Sequence, residues 1–283
     1  MGGLPSALGT LRSAWETEGD VRVAPTITGV RGPRRHAPLL LLSALLLSAC
    51  SSSAATSKGS TTSGTVIVTP LTADGTDAYT VLRKGSILDM SAPATNARGN
   101  LRVAVVPSGA PVTTDERSCA TWTSETNSEF DQEGLVLRLA PSTGGSGMRA
   151  ITVTKNVEYN FTWVFNVHLW DTSQANRFKL LGQLNLWHAL AAKPPKVVHS
   201  FPWHVCARVA GSTLQVMVWA GDDPQPSWTD AAHVSRLTLP HGWAYPGQAG
   251  WYIGHLHPGD HVSYTDLQTA TSSDAPESTT TVP

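Results

Sequence analysis

Nine of the ten tryptophans fall between Trp122 and Trp251, and some have polar neighbours suited to one kind of chemistry. The apolar C–H face of a pyranose stacks on an aromatic ring, while nearby Asn, Asp and His fix its hydroxyls. The segment from Tyr159 to Trp170, YNFTWVFNVHLW, offers such a set. Strand alternation puts Phe161, Trp163, Phe165, Val167 and Leu169 on one face and Thr162, Val164, Asn166, His168 and Trp170 on the other. Asn166, His168 and Trp170, with Asn185 and Trp187 from the next segment, are therefore candidate ligand-binding residues, provided their sheet face is concave. Core or edge packing competes for the rings, above all at Trp163, Trp203, Trp219 and Trp251, and less so at Trp170, Trp187, Trp228 and Trp243.

Other chemistries find less support. A retaining glycosidase needs two carboxylates about 5 Å apart, and a Glu-x-Asp-x-x-Glu run on a strand would supply them. That run is missing from the sequence. Glu129, Asp131 and Glu133 have period-two spacing and are the hydrolytic candidates, but with Asp115, Glu116 and Glu125 they read as a solvated, turn-forming region. No catalytic residue is assigned. His255-Leu256-His257, with His261 nearby, puts two rings on one side of a strand, yet no cysteine or carboxylate stands at a confirming spacing for zinc. Asp222, Asp223 and Asp230 offer oxygen ligands to calcium or, equally, caps to turns. No metal site is assigned and no cofactor is expected, calcium being the one ion to consider. The sequence carries no nucleophile elbow, phosphate loop or dinucleotide fingerprint.

The elements that must position these side chains are short strands. Val205, Ala207 and Val209, then Leu214, Val216 and Val218, alternate around Gly211-Ser212 as a hairpin. Further strands are predicted at 65–68, 79–82, 101–106, 119–122, 135–139, 150–154, 178–186, 251–254 and 261–267. In 178–186, Leu180, Gly182, Leu184 and Leu186 share the face opposite Lys179, Leu181, Gln183 and Asn185. One short helix is conceivable around 187–192. With 24 Gly and 19 Pro and no long helical periodicity, the chain reads as all-β, a two-sheet antiparallel sandwich over residues 65–270. The β pattern of 65–117 places that stretch in the sandwich. Lys plus Arg number 20 and Asp plus Glu 21, so no electrostatic footprint for nucleic acid exists.

Both ends read differently. Residues 34–49, with Arg34-Arg35-His36, the apolar run from Leu39 to Leu47, and Ser48-Ala49, have the form of an export signal too short to span a membrane. Leu47-Ser48-Ala49-Cys50 resembles a bacterial lipobox, which implies a lipid (palmitate-type acyl and diacylglyceryl) on Cys50 and anchorage to the outer face of the cell membrane. Residues 1–33 do not fit ahead of such a signal and are expected to be a misassigned start, with Val30 a candidate initiator, or an unstructured extension. Residues 50–64 are Ser/Thr-rich, a tether, and 271–283 read as a disordered tail. Lipidation of Cys50 leaves Cys119 and Cys206, and an exported location permits their disulfide, which would stabilise by about 4 kcal/mol.

The segment from Cys206 to Trp219, with Pro224-Gln225-Pro226-Ser227-Trp228, Gly247-Gln248-Ala249-Gly250 and Tyr264-Thr265-Asp266-Leu267, resembles the late strands of laminin-G-like modules in the concanavalin A-like lectin/glucanase group. The resemblance implies a jelly-roll sandwich. Its members include sugar-binding modules, glycanases and adhesion domains, so function must come from the site. The expectation is a bacterial, actinobacterial-type surface lipoprotein that binds an extracellular or cell-wall glycan without catalysis. A glycoside hydrolase of the same fold, or a structural or adhesion protein with a protein partner, are the alternatives.

Overall fold

A computed structural model of the chain describes residues 66–72, 78–94, 101–126, 131–157, 163–191 and 200–271. The expected start 1–33, the expected signal 34–49, Cys50 and the expected tether 50–64, Glu129, the residues from Tyr159 to Thr162 and the residues beyond Thr271 lie outside them, as do the side chains of Trp163 and Trp187.

The chain forms a jelly-roll sandwich of two seven-stranded antiparallel sheets. Sheet I contains β1 (Val66–Thr72), β4 (Arg102–Pro107), β13 (Gln248–Gly254), β6 (Gln132–Pro141), β7 (Met148–Val157), β8 (Trp163–Asp171) and β9 (Phe178–Asn185), in that spatial order. Sheet II runs β12 (Val234–Thr238), β11 (Thr213–Ala220), β10 (Trp203–Ala210), β5 (Glu116–Glu125), β14 (His261–Thr271), β3 (Ile87–Ser91) and β2 (Thr80–Lys84). The 66–107 stretch thus supplies two strands to each sheet. A single helical turn, α1 (Trp187–Leu190), follows β9.

Alternation decides which side of each strand is buried. In β10, Trp203, Val205, Ala207 and Val209 face the inter-sheet core, while His204, Cys206 and Arg208 face out. The β10–β11 hairpin closes at Gly211-Ser212, with Ala210 opposite Thr213 and Gly211 at φ 52, a conformation glycine adopts without strain. The core between the sheets includes Trp122, Phe165, Trp203, Tyr264 and Trp251, each large side chain contributing about 1.5–3 kcal/mol on burial.

Bulges break the alternation at two informative places. One lies between Val167 and His168 in the β8–β9 ladder. It turns Leu180 outward opposite His168, 45% exposed, and lets Leu181 pack on the core, so Leu180 and Leu184 do not share the face that strict alternation gives them. The other lies in β6, between Leu137 and Ala140, where Arg138 takes φ 51.

The acidic residues read as a solvated region are largely buried. Glu116 opens β5 and Glu125 closes it, and Glu116, Asp131 and Glu133 are at most 2% exposed. Two clamps account for this. In the first, the Arg138 Nε (3.0 Å) and Nη2 (2.6 Å) donate to the Thr114 carbonyl, Nη2 also to Gly211 O (2.7 Å), and Nη1 to Trp243 O. The Arg138 backbone N–H donates to the Glu116 carboxylate. Burial pushes Glu116 up to about 7 against these opposing contacts. In the second, the Lys155 ammonium lies inside the sandwich, donating to Glu125 and sitting 2.9 Å from Glu133 Oε2. Burial raises the Glu133 pKa, and the Lys155 ammonium opposes that rise. For Lys155 burial acts downward, but Glu133 and Glu125 together outweigh it and keep the ammonium charged.

Sheet I is curled. The Arg102 guanidinium, on β4, lies 5.9 Å from the Trp170 ring on β8 and 5.5 Å from the Phe178 ring on β9, although β13, β6 and β7 intervene in the sheet. Its outer face is therefore concave, and the hollow is filled by a second apolar core of Leu71, Ala104, Val106, Val136, Leu139, Ala150, Trp170 and Tyr252.

Candidate functional site

The concave face of sheet I carries Asn166, His168 and Trp170, with Asn185 at its far end. His168 and Trp170 are neighbours, with ring centroids 6.3 Å apart. Asn166 accepts a hydrogen bond from Gln183 Nε2 at 3.0 Å. Asn185 is exposed at the far end of β9, opposite Val164, and Trp187 opens α1. Trp170 is a core residue here: it is 1% exposed and its Nε1 donates to Thr152 Oγ1 at 2.9 Å. Burial, then the Arg102 charge, lowers the His168 pKa to about 4, so its ring is neutral at physiological pH. The open ring on this face is Phe178, set edge-on to His168 (5.5 Å) and against Trp170 (4.9 Å). Alternation alone could not single out Phe178, because the β8–β9 bulge and the curl of the sheet put it there.

The more polar site lies on the outer face of sheet II, a face the sequence reading did not select. Outward positions of β5, β10, β11 and β14 converge on a groove with a cavity of about 360 Å³. Arg117, Thr121, His204, Trp219, Asp266 and Gln268 line it, with Gln225 from the β11–β12 loop. Its floor is the Cys119–Cys206 disulfide, which joins directly opposed residues of adjacent strands. Because Cys119 and Cys206 occupy outward positions, this bond braces the groove from beneath.

Asp266 reaches the groove through a backbone irregularity. The β5–β14 register shifts between Thr265 and Gln268, and Asp266 sits there at φ 50, a region costly for most non-glycine residues but tolerated by Asp and Asn. Thr121 Oγ1 donates to Asp266 Oδ2 at 2.9 Å, and His204 Nδ1 is 2.8 Å from the same hydroxyl. His204 Nε2 is 2.9 Å from Gly221 O, which fixes the ring at both ends. That ring stacks on Trp219, with centroids 4.9 Å apart and planes at 16°. Asp266 thus supplies an oriented acceptor, Arg117, Gln225 and Gln268 supply donors, and the stacked pair supplies a flat wall. Such a set can exchange hydrogen bonds with hydroxyl groups. Among the described residues, Asp266 is the one carboxylate in the lining.

The remaining candidates go elsewhere. Asp131 and Glu133 are buried, Glu133 against Lys155. His257 Nδ1 is 3.8 Å from Asp260, His261 Nε2 is 3.9 Å from Asp89, and His255 lies between them and the end of β13. Asp222 and Asp223 are exposed, and Asp230 Oδ1 accepts the Ala232 N–H at 2.9 Å as a turn cap. Among the described residues no group of three or more His, Cys, Asp or Glu is placed to hold a metal ion.

No protein-family model matches the sequence, and no curated protein matches it. Solved structures resemble the fold at low identity. The carbohydrate binding module CBM66 from Bacillus subtilis is 10% identical with a TM-score of 0.40, over 72% of this chain and 95% of that one. The exoplasmic/lumenal domain of VIP36, in a Ca2+/Man3GlcNAc-bound form, is 10% identical with a TM-score of 0.40, over 69% and 83%. A legume lectin-like domain from Entamoeba histolytica is 8% identical with a TM-score of 0.43, over 69% and 89%. The likeness is one of strand arrangement, and no site residue is carried across from it.

Proposed function

We propose that the chain is a non-catalytic glycan-binding module and that the groove on sheet II is its site. The observation that carries this reading is Asp266. A strained backbone position holds its carboxylate in a solvent-open groove beside Thr121, His204 and Trp219, and strain of this kind persists where the surrounding structure enforces it, commonly at ligand sites. A sugar hydroxyl donating to Asp266 and accepting from Gln268 or Arg117 would complete the set.

Titrating the full chain with cell-wall and plant polysaccharides, with tryptophan fluorescence as the signal and reducing-end release assayed in parallel, tests this. A saturable shift without sugar release is expected, because Trp219 is part of the wall. Asp266→Asn keeps the positive-φ backbone and removes the charge, and is expected to weaken binding about tenfold or more with unchanged thermal stability. Sugar release by the wild-type chain would replace the reading with a hydrolase. Silence across the panel would favour a protein partner and an adhesion role.

The module is further read as a bacterial surface lipoprotein held on the outer face of the cell membrane through Cys50. Support comes from Leu47-Ser48-Ala49-Cys50 after an apolar run, and from a disulfide that suits an oxidising compartment. Cells expressing the chain with an alkyne-tagged palmitate are expected to label it, and Cys50→Ala is expected to abolish the label. Equal labelling of both forms would remove the anchor from this account.

A further inference from the structure

The register of sheet II lines up a row of cations on its outer face. Arg117 on β5 stands directly opposite Arg208 on β10, Arg208 opposite Gln215 on β11, and Gln215 opposite Arg236 on β12. At the usual spacing of neighbouring strands the row spans about 14 Å. Its side chains share one side of the sheet. Arg117 lines the groove, Arg208 and Gln215 bond each other, and Arg236 lies two residues beyond Val234 of the outer cluster.

Like charges directly opposite each other across a ladder are destabilising, so Arg117 beside Arg208 costs the free chain stability. Packing explains part of the row and leaves its charge unexplained. The Arg208 guanidinium lies over the Trp228 ring at 4.2 Å and donates from Nε to Gln215 Oε1 at 2.9 Å, while Arg236 Nη2 donates to Trp228 O at 3.1 Å. A neutral donor would serve the Trp228 carbonyl as well, and Arg236 is exposed. Two carboxylates close by in the chain have other bonds: Asp115 Oδ1 accepts the Gly211 N–H and Asp230 Oδ1 the Ala232 N–H, both at 2.9 Å. The stacking on Trp228 and the bond to Gln215 hold the Arg208 head in place before any ligand arrives, which lowers the ordering cost of binding.

We infer that the glycan taken by the groove is an acidic polysaccharide, whose carboxylate or sulfate groups lie along this arginine row. The inference rests on the groove reading, because Arg117 belongs to both places. Thr121, Cys119 and Arg117 follow one another on the outer side of β5, so a run of sugars that starts beside Asp266 and passes over the disulfide reaches the row about 13 Å further on. Guanidinium planes bind such oxyanions with paired hydrogen bonds and are weakly hydrated, which suits them to this contact. A bilayer surface is anionic too, but Trp219 and Trp228 are each 8% exposed, so the rings beside the row are not available for insertion.

The test uses the full chain with two matched pairs of polymers, dextran sulfate with dextran and polygalacturonate with its methyl ester, and with phosphatidylglycerol vesicles, at low and high salt. Each acidic polymer is expected to bind at least about tenfold more tightly than its neutral counterpart at low salt, and high salt should shrink the preference to under about threefold. Arg208→Gln with Arg236→Gln should abolish the preference. Arg236→Gln alone should lower it, which keeps the test informative if loss of the Arg208 contact loosens the Trp228 loop. Gln268→Ala, an uncharged change in the groove, should weaken both members of a pair about threefold or more. Acidic and neutral members binding alike, or a preference that the double variant keeps, overturns this inference and leaves the groove reading standing. Acidic binding that Gln268→Ala leaves untouched overturns the joined site and the groove reading with it. If neither acidic polymer binds, the inference falls. Binding that appears only after Asp274→Asn with Glu277→Gln, two carboxylates outside the described residues that follow the Ala270 opposite Arg117, overturns it in favour of the chain's own residues as occupant. Vesicle binding lost in the arginine variants, without polymer binding, overturns it in favour of a membrane surface.

Discussion

Arg138→Met is expected to cost the fold about 3–5 kcal/mol, measured by urea denaturation at neutral pH. The guanidinium is buried and its donors satisfy the carbonyls of Thr114, Gly211 and Trp243, which belong to three separate connections at one end of the sandwich. Methionine fills similar volume but its side chain donates nothing, so these carbonyls lose their charge-assisted donors, and the 1% exposed Glu116 keeps the backbone N–H but loses a nearby positive charge. The cost should also depend on pH. Glu116 titrates near 7 in the fold against 4.5 for a free side chain, so the stability of its protonated form is full below about pH 4.5 and lost as pH rises through 7. Without the arginine the folded carboxyl holds its proton still more tightly, and the penalty therefore grows from pH 5 to pH 8. Adding Glu116→Gln to Arg138→Met should recover part of the loss at pH 8 and little at pH 5. A cost under about 1 kcal/mol, or one that is flat with pH, would mean that Arg138 is not the clamp its hydrogen bonds describe.

Removing the Cys119–Cys206 bond is the second large effect, expected at about 4–5 kcal/mol from the chain entropy of its 87-residue separation. The cysteines face each other across β5 and β10, so the native sheet already brings them together and the bond acts chiefly on the unfolded chain. Two readouts separate this from a packing defect. Reduction of the wild-type chain and the double variant Cys119→Ala with Cys206→Ala should lower the urea midpoint similarly, and both should steepen the denaturant dependence, because the unlinked unfolded chain exposes more surface. The double variant also removes sulfur from the small apolar cluster with Met217, Trp219, Trp228 and Val234, so it should be the less stable of the two. If reduction leaves the midpoint in place while the double variant lowers it, packing in that cluster and not the cross-link sets the stability.

The strand pattern was legible because side-chain alternation is local. Val205, Ala207 and Val209 announce a half-buried strand without reference to any partner, and Gly211-Ser212 announces the turn that pairs it with β11. The count and context of the cysteines pointed to the bond between Cys119 and Cys206, and the even spread of opposite charges argued against nucleic acid. The same locality limits what alternation can say about the sites. It places His168 and Trp170 on one face, but whether that face is an open cleft or a filled hollow depends on the curl of seven strands, and here Trp170 is core while Phe178 is open. The acidic residues of β5 and β6 read as solvated because nothing nearby in sequence predicts that Arg138 and Lys155 will meet them inside the sandwich. The groove on sheet II is assembled from β5, β10, β11 and β14, with Thr121 and Asp266 145 residues apart, and it depends on a bulge that no sequence period reports. Sequence by itself determined most of the elements, since their period is set by each strand's own backbone, but not the short β3 and β12, which no predicted strand covers. The sites were decided by the tertiary structure, since pairing, bulges and sheet curvature alone bring distant side chains within hydrogen-bonding reach.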